Sequence, residues 1–129
     1  MRPELLEKIT GNINQIKVNL ADLHIDDDEL LEVLNTIKQL KPTVTHIDLD
    51  NNNLGDKGAK ILYEQLRGFN NIKELSLQFN HVGKEGAVEL FGLKKTFPEI
   101  DILFHGNNIT DVSEMDEIER LALEDSPRP

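Results

Sequence analysis

Apolar and polar residues alternate in a phrase that returns along the chain: Ile47-Asp48-Leu49-Asp50-Asn51-Asn52-Asn53-Leu54, then Leu75-Ser76-Leu77-Gln78-Phe79-Asn80-His81-Val82, then Ile102-Leu103-Phe104-His105-Gly106-Asn107-Asn108-Ile109. Alternation with a period of two predicts a short strand with one buried face. After the first two phrases the apolar spacing becomes helical. It predicts helices over 56–66, with Ala59, Leu62, Tyr63 and Leu66, and over 84–93, with Ala87, Leu90, Phe91 and Leu93. A third helix is predicted over 28–40, with Leu30, Leu31, Leu34, Ile37 and Leu40. It follows a degenerate first copy, Val18-Asn19-Leu20-Ala21-Asp22-Leu23-His24-Ile25, which keeps the apolar positions but has Leu23 where the others have asparagine. Asn52, Asn80 and Asn107 recur at steps of 28 and 27 residues, so the unit is strand, turn, helix, repeated in register. Units of this kind bury their apolar faces only by stacking on one another.

Glycine keeps the same step. Gly55 and Gly83 are 28 residues apart, as are Gly58-Ala59 and Gly86-Ala87, which place small side chains where helix and strand backbones are expected to approach closely. Together the two textures give L-x-x-L-x-L-x-x-N-x-L followed by G-A-x-x-L-x-x-x-L, which resembles the ribonuclease-inhibitor type of leucine-rich repeat over roughly residues 15–110. The resemblance implies an α/β solenoid of about four coils, a short horseshoe with a parallel β-sheet on its concave face and helices on its convex face. It also implies that Asn52, Asn80 and Asn107 turn inward and bond backbone groups between coils. The second and third copies agree from Val44 and Ile72 onward, until Lys94 falls where Leu66 lies. A snorkelling Lys94, or Leu93 in its place, predicts a local change of register there. The fourth copy has a strand and no Gly-Ala helix.

The ends of such an array need covering. Pro3 to Thr10, with Leu5, Leu6 and Ile9 on one side, predicts a capping helix within 1–14; Val112, Met115, Ile118 and Leu121 predict another over 111–124; residues 125–129 are expected to be loose. A length of 129 residues fits one domain with its own core, read as a complete small protein. There is no cysteine, which fits a reducing compartment. No apolar run is long enough to span a membrane, and the N-terminus lacks the apolar stretch of a signal peptide. The expectation is a cytoplasmic-type protein, monomeric when free, that engages neither membrane nor nucleic acid; the net charge of −10 opposes contact with a phosphate backbone. Part of that charge, Asp26-Asp27-Asp28-Glu29, sits at a predicted helix start, where carboxylates meet the positive end of the helix dipole.

Candidate chemistry is sparse. Asp48-x-Asp50-x-Asn52 opens like a calcium loop, but Asn53 stands where the glycine belongs and Ala59 where the bidentate glutamate belongs. His24, His46, His81 and His105 show no metal-ligand spacing, and there is no phosphate loop, nucleophile elbow or cofactor motif. An alternative reading is a small metal-dependent hydrolase built from Asp48, Asp50, His46 and His105. Another is a self-associating module whose sheet edges pair.

The residues between the buried apolar ones should face outward on the sheet. These are Lys17, Asn19, Ala21 and Asp22; His46, Asp48, Asp50 and Asn51; Glu74, Ser76, Gln78 and Phe79; Asp101, Leu103, His105 and Gly106. The set holds five acidic residues against one lysine, a local charge of −4, and two apolar groups, Phe79 and Leu103. An apolar anchor with an acidic surround is the composition of a protein-binding hot spot, unless Phe79 tucks into its turn. The expected binding residues are therefore His46, Asp48, Asp50, Glu74, Ser76, Gln78, Phe79, Asp101, Leu103 and His105. The family resemblance implies a non-enzymatic binding protein, and its namesake inhibits an enzyme by covering the active site. The expected partner is a protein, an enzyme with a basic surface being one form. Short members also resemble repeat proteins that intracellular bacteria deliver into host cells. The acidic run Glu114-Met115-Asp116-Glu117-Ile118-Glu119 resembles a glutamate-rich secretion signal.

Overall fold

The computed structural model describes residues 1–11, 16–109 and 111–124. Strand, turn and helix recur in chain order: α1 (Pro3–Thr10), β1 (Lys17–Asn19), α2 (Asp27–Leu40), β2 (His46–Asp48), α3 (Asp56–Leu66), β3 (Glu74–Ser76), α4 (Lys84–Phe91) with a 3₁₀ turn (Gly92–Lys95), β4 (Asp101–Leu103) and α5 (Val112–Ala122). The strands form one parallel sheet in the order β1-β2-β3-β4. Sheet on the concave side and helices on the convex side make the short solenoid that the phrase predicts. The expected loose tail, 125–129, lies outside the described residues.

Strand register stacks the phrase on itself. Val18, Ile47, Leu75 and Ile102 align across the sheet and point to the core, while Lys17, His46, Glu74 and Asp101 form one outward row and Asn19, Asp48, Ser76 and Leu103 the next. Backbone bonds continue the ladder past the strands: Leu49 N–H donates to Ser76 O at 2.8 Å, and Asn51 N–H to Gln78 O at 2.9 Å. Then the chain turns sharply. Asp22, Asn51, Phe79 and Gly106 hold φ of 60°, 55°, 58° and 80°, and this left-handed residue swings the next one inward. In three coils the next residue is the asparagine.

Asn52 Oδ1 accepts from Leu23 N–H (3.2 Å) and Ile25 N–H (2.9 Å), while its Nδ2 donates to Leu20 O (3.0 Å) and Leu49 O (2.9 Å). Asn80 Oδ1 accepts from Leu54 N–H and its Nδ2 donates to Leu49 O, both at 3.0 Å. Asn107 does the same for Val82 N–H (3.0 Å) and Leu77 O (2.8 Å). Each asparagine thus satisfies backbone groups of the preceding coil, which the turn would otherwise leave buried and unpaired. Among the described residues no strand coil precedes the first one, which has Leu23 at this position.

The helices pack through their starts. Asp27 Oδ1 accepts from Gly55 N–H at 2.9 Å and Asp56 Oδ1 from Gly83 N–H at 2.7 Å, so the first residue of one helix caps the next helix. A Cβ on Gly86 would lie 2.5 Å from Asp56 Oδ1 and 2.7 Å from its Cα; Gly58 sits against the Asp27 carboxylate. The glycines therefore make room for the preceding helix, where the sequence reading placed a helix against a strand. In α4 the ladder stops, because Lys84 replaces the aspartate and pairs with Glu117 at 2.7 Å.

Five apolar positions, in three helices, differ from expectation. In α2, Val33 is buried while Leu31 and Leu40 are exposed, because the covered stripe runs Leu30, Val33, Leu34 and Ile37. Leu6 is exposed beside the buried Leu5 and Ile9 in α1. Val112, at the first position of α5, is solvent-exposed, and Ile118 and Ala122 carry the helix contact. The change of register at Lys94 does occur: α4 tightens into the 3₁₀ turn, Leu93 is fully buried, and Lys94 Nζ reaches Ile100 O at 3.3 Å.

Candidate functional site

The outward rows define a four-by-four surface on the sheet. Row by row it reads Lys17, His46, Glu74, Asp101; Asn19, Asp48, Ser76, Leu103; Ala21, Asp50, Gln78, His105; and Asp22, Asn51, Phe79, Gly106. All ten of the expected binding residues lie on this one surface, which follows directly from strand alternation combined with parallel register.

Its centre is a carboxylate network. Asp48 Oδ1 accepts from Asp50 N–H at 2.9 Å, and the same loop-back is made by Asn19 with Ala21 N–H at 3.0 Å. Asp50 Oδ1 accepts from Ser76 Oγ (2.6 Å) and Gln78 N–H (2.8 Å), and Oδ2 from Gln78 Nε2 (3.3 Å). Ser76 is only 4 % exposed, so within this surface it braces Asp50 and presents little of itself to solvent. Partial burial raises the Asp48 carboxyl above the usual carboxylate range. The charges of Asp50 and Glu74 add to that, and the bond from Asp50 N–H opposes it.

The aromatic corner sits at the other side. Phe79 is 50 % exposed and its ring stands edge-on to His105, with centroids 5.6 Å apart. Its Cε1 lies only 2.8 Å from where a Cβ of Gly106 would be, so the absent side chain of the last coil makes the ring's seat. Phe79 is therefore neither in the core nor free in solvent. Leu103, 40 % exposed, completes the apolar part of the surface.

The same geometry separates the groups of the hydrolase alternative. His46 and His105 differ by two strands and four residues, roughly 16 Å by sheet spacing and strand rise. His46 Nδ1 is engaged by Thr45 Oγ1 at 2.7 Å. Asp48 and Asp50 point outward while Asn52 points inward, which breaks up the calcium-like triplet. Among the described residues no three His, Asp or Glu side chains converge as a metal site.

One group of residues escaped the sequence reading. The loops entering β3 and β4 leave an open cleft of about 690 Å³, lined by Ile72, Phe97, Pro98 and Ile100 beneath Glu74, Glu99 and Asp101. The sequence marks this coil by the one-residue shortening before Asn107.

The family model described as leucine rich repeat matches residues 41–62 and 70–91, the second and third copies of the phrase. No curated protein matches the chain. Among solved structures, the leiomodin-1 actin-binding site 2 is similar at 23 % identity, covering 92 % of this chain and 70 % of that one, with a TM-score of 0.71. The tropomodulin C-terminal domain of Caenorhabditis elegans is similar at 11 % identity, covering 92 % and 73 %, with a TM-score of 0.69. At those identities the likeness is one of fold. The chain folds as a short solenoid of the leucine-rich-repeat kind, with its parallel sheet on the concave side.

Proposed function

We propose that this protein is a non-enzymatic interaction module that binds a protein partner through its concave sheet. The observation that carries the proposal is Phe79. The left-handed position is filled by Asp22, Asn51 and Gly106 in the other coils, residue types that tolerate it, but by a half-exposed aromatic in the third. Left-handed backbone costs a residue with a Cβ about 1–2 kcal/mol. With the ring half exposed, only part of its surface is packed to offset that cost. Strain kept at a solvent-facing aromatic is a feature of binding sites, where the ring is buried by something else.

Three further observations support the reading. Leu103 and Phe79 lie on the same surface, acidic residues surround them, and Asp50 is held in place by Ser76 and Gln78 before any partner arrives. The leiomodin-1 structure, an actin-binding site, has the same solenoid and supports the class of function. The proposal includes kinship with ribonuclease-inhibitor-type repeats, supported by the inward asparagine and the Gly-Ala helix start. It includes inhibition of a partner enzyme by covering its active site, and delivery into a host cell, each tested by its own assay of activity or translocation. The free chain is proposed to be a monomer, which light scattering over a range of concentrations tests.

The binding test uses three immobilised forms: wild type, Phe79→Asn/Leu103→Ser on the concave sheet, and Lys60→Ala/Glu64→Ala on the convex helix α3. A partner recovered by wild type and by the convex variant, and lost by the concave variant, supports the proposal. Equal recovery by all three places the interface elsewhere.

A further inference from the structure

The cleft at the entry to β3 and β4 adjoins the concave surface without belonging to its predicted contact residues, apart from His46, Glu74 and Asp101 on its rim. Its floor is apolar: Ile72, Phe97 and Ile100 are buried at 1 %, 9 % and 2 % exposure, with Pro98 at the lip. Its rim carries three carboxylates. Glu74 and Asp101 are aligned neighbours on adjacent strands, and Glu99 lies just before β4. Among the described residues none of the three has an ion pair or a side-chain hydrogen bond. Lys73 is the cation among the lining residues, and nearby Lys94 is turned to Ile100 O.

We infer that this cleft receives an arginine side chain of the protein partner, so that the partner's contact is a basic residue adjoining an apolar one. The inference rests on the concave-face reading and adds the chemistry of what binds there. An apolar floor under a carboxylate rim matches a side chain with an aliphatic stem and a charged head. Arginine suits it better than lysine: its planar, weakly hydrated guanidinium presents several donors at fixed angles, enough to meet carboxylates from two strands and a loop at once. A volume of about 690 Å³ accommodates such a side chain with room for part of its backbone. Leu103 stands two residues after Asp101 on the same face, roughly 7 Å away by strand rise, and gives the apolar neighbour its place. The net charge of −10 favours approach of a cationic partner over an acidic one, and the three carboxylates of the rim place part of that charge at the cleft.

The test titrates the full chain with N-acetyl-arginine amide and follows backbone amide shifts by NMR, with the lysine and norleucine amides as comparisons. The arginine probe should move the amides of residues 70–74 and 96–101, bind at least ~3-fold tighter than the lysine probe, and lose its effect in Glu74→Gln/Asp101→Asn. Shifts spread equally over the acidic run 26–29, equal effects from norleucine, or shifts that persist in the double variant overturn the inference. With the partner in hand, the same double variant should weaken binding ~10-fold or more. If Phe79→Asn abolishes partner binding while Glu74→Gln/Asp101→Asn leaves it unchanged, the cleft inference fails and the concave-face reading stands. If neither variant matters, both fail.

Discussion

Removing the asparagines one at a time should destabilise the solenoid by amounts set by what each leaves unpaired. Asn52→Ala strands Ile25 N–H and Leu20 O in the interior and exposes Leu23 N–H to whatever water can reach it. Asn80→Ala strands Leu54 N–H, but Leu49 O keeps its bond from Asn52 Nδ2 at 2.9 Å, and Leu77 O keeps its bond from Asn107 Nδ2 at 2.8 Å. With roughly 1–3 kcal/mol for each buried group left without a partner, taken near the middle to upper part of that range because both sites are buried, Asn52→Ala with two such groups should cost about 3–5 kcal/mol and Asn80→Ala with one about 2–3. For a chain of this size these correspond to falls in Tm of roughly 12–20 °C and 8–12 °C. Asn53→Ala, one residue further along the same phrase and exposed, should shift Tm by less than about 2 °C. Thermal unfolding followed by circular dichroism or calorimetry ranks the three. An Asn52→Ala loss no larger than that of Asn80→Ala, or losses at both comparable with Asn53→Ala, would refute the ladder as the source of inter-coil stability.

Other consequences follow from particular contacts. Gly86→Ala should cost about 1–3 kcal/mol by overpacking against the Asp56 backbone. Gly58→Ala should cost less, since the Asp27 carboxylate can rotate away; denaturant melts compare the two. Asp48→Asn keeps the acceptor for Asp50 N–H while removing a charge that burial and two neighbouring carboxylates oppose. A raised folded-state pKa means the folded protein binds the proton more tightly than the unfolded chain. The penalty is therefore present above the folded pKa and relieved as pH falls through it. Asp48→Asn should raise Tm by roughly 1–3 °C near neutral pH, with the gain shrinking on acidification, because the screened like-charge contact it removes is small. A fall in Tm, or a gain that grows on acidification, would count against this. Gly106→Ala should displace the Phe79 ring and alter the His105 ring signals in an NMR spectrum; unchanged His105 shifts would mean the ring does not sit there.

The fold was legible because two periods are superimposed on one sequence. Alternation located β2, β3 and β4, helical spacing located α3 to the residue, and the 28-residue step joined them into a parallel sheet. Register then put every outward residue on one surface, so the concave rows could be written down from Ile47, Leu75 and Ile102 alone. What could not be read depends on neighbours in space. Helical spacing fits either Leu31 or Val33 as the covered residue of α2, and the packing of the helix in the array decides between them. Asp27 and Asp56 look like ordinary helix-start carboxylates until the next coil brings Gly55 and Gly83 within reach. Ser76 has the pattern of an outward residue, yet Asp50 of the adjacent coil covers it. The left-handed position was visible in principle, as Asp22, Asn51 and Gly106 are the residue types that favour it, and Phe79 breaks that column. The cleft beneath Glu74 and Asp101 is lined by two loops, residues 70–74 and 96–101, which only the fold brings side by side.

The central claim, that Phe79 is kept for binding and not for folding, is tested most directly by Phe79→Asn, which places in the third coil the residue type that the second already has at Asn51. Relief of left-handed strain and loss of the ring's edge contact with His105 oppose each other at about 1 kcal/mol apiece, so Tm should stay within roughly 4 °C of wild type. Loss of a buried aromatic anchor should weaken the partner by about 2 kcal/mol or more, ~30-fold in Kd by isothermal titration calorimetry. Stability held and affinity lost is the predicted result. Affinity within ~2-fold of wild type, with stability lost in its place, would make Phe79 part of the scaffold and contradict the account.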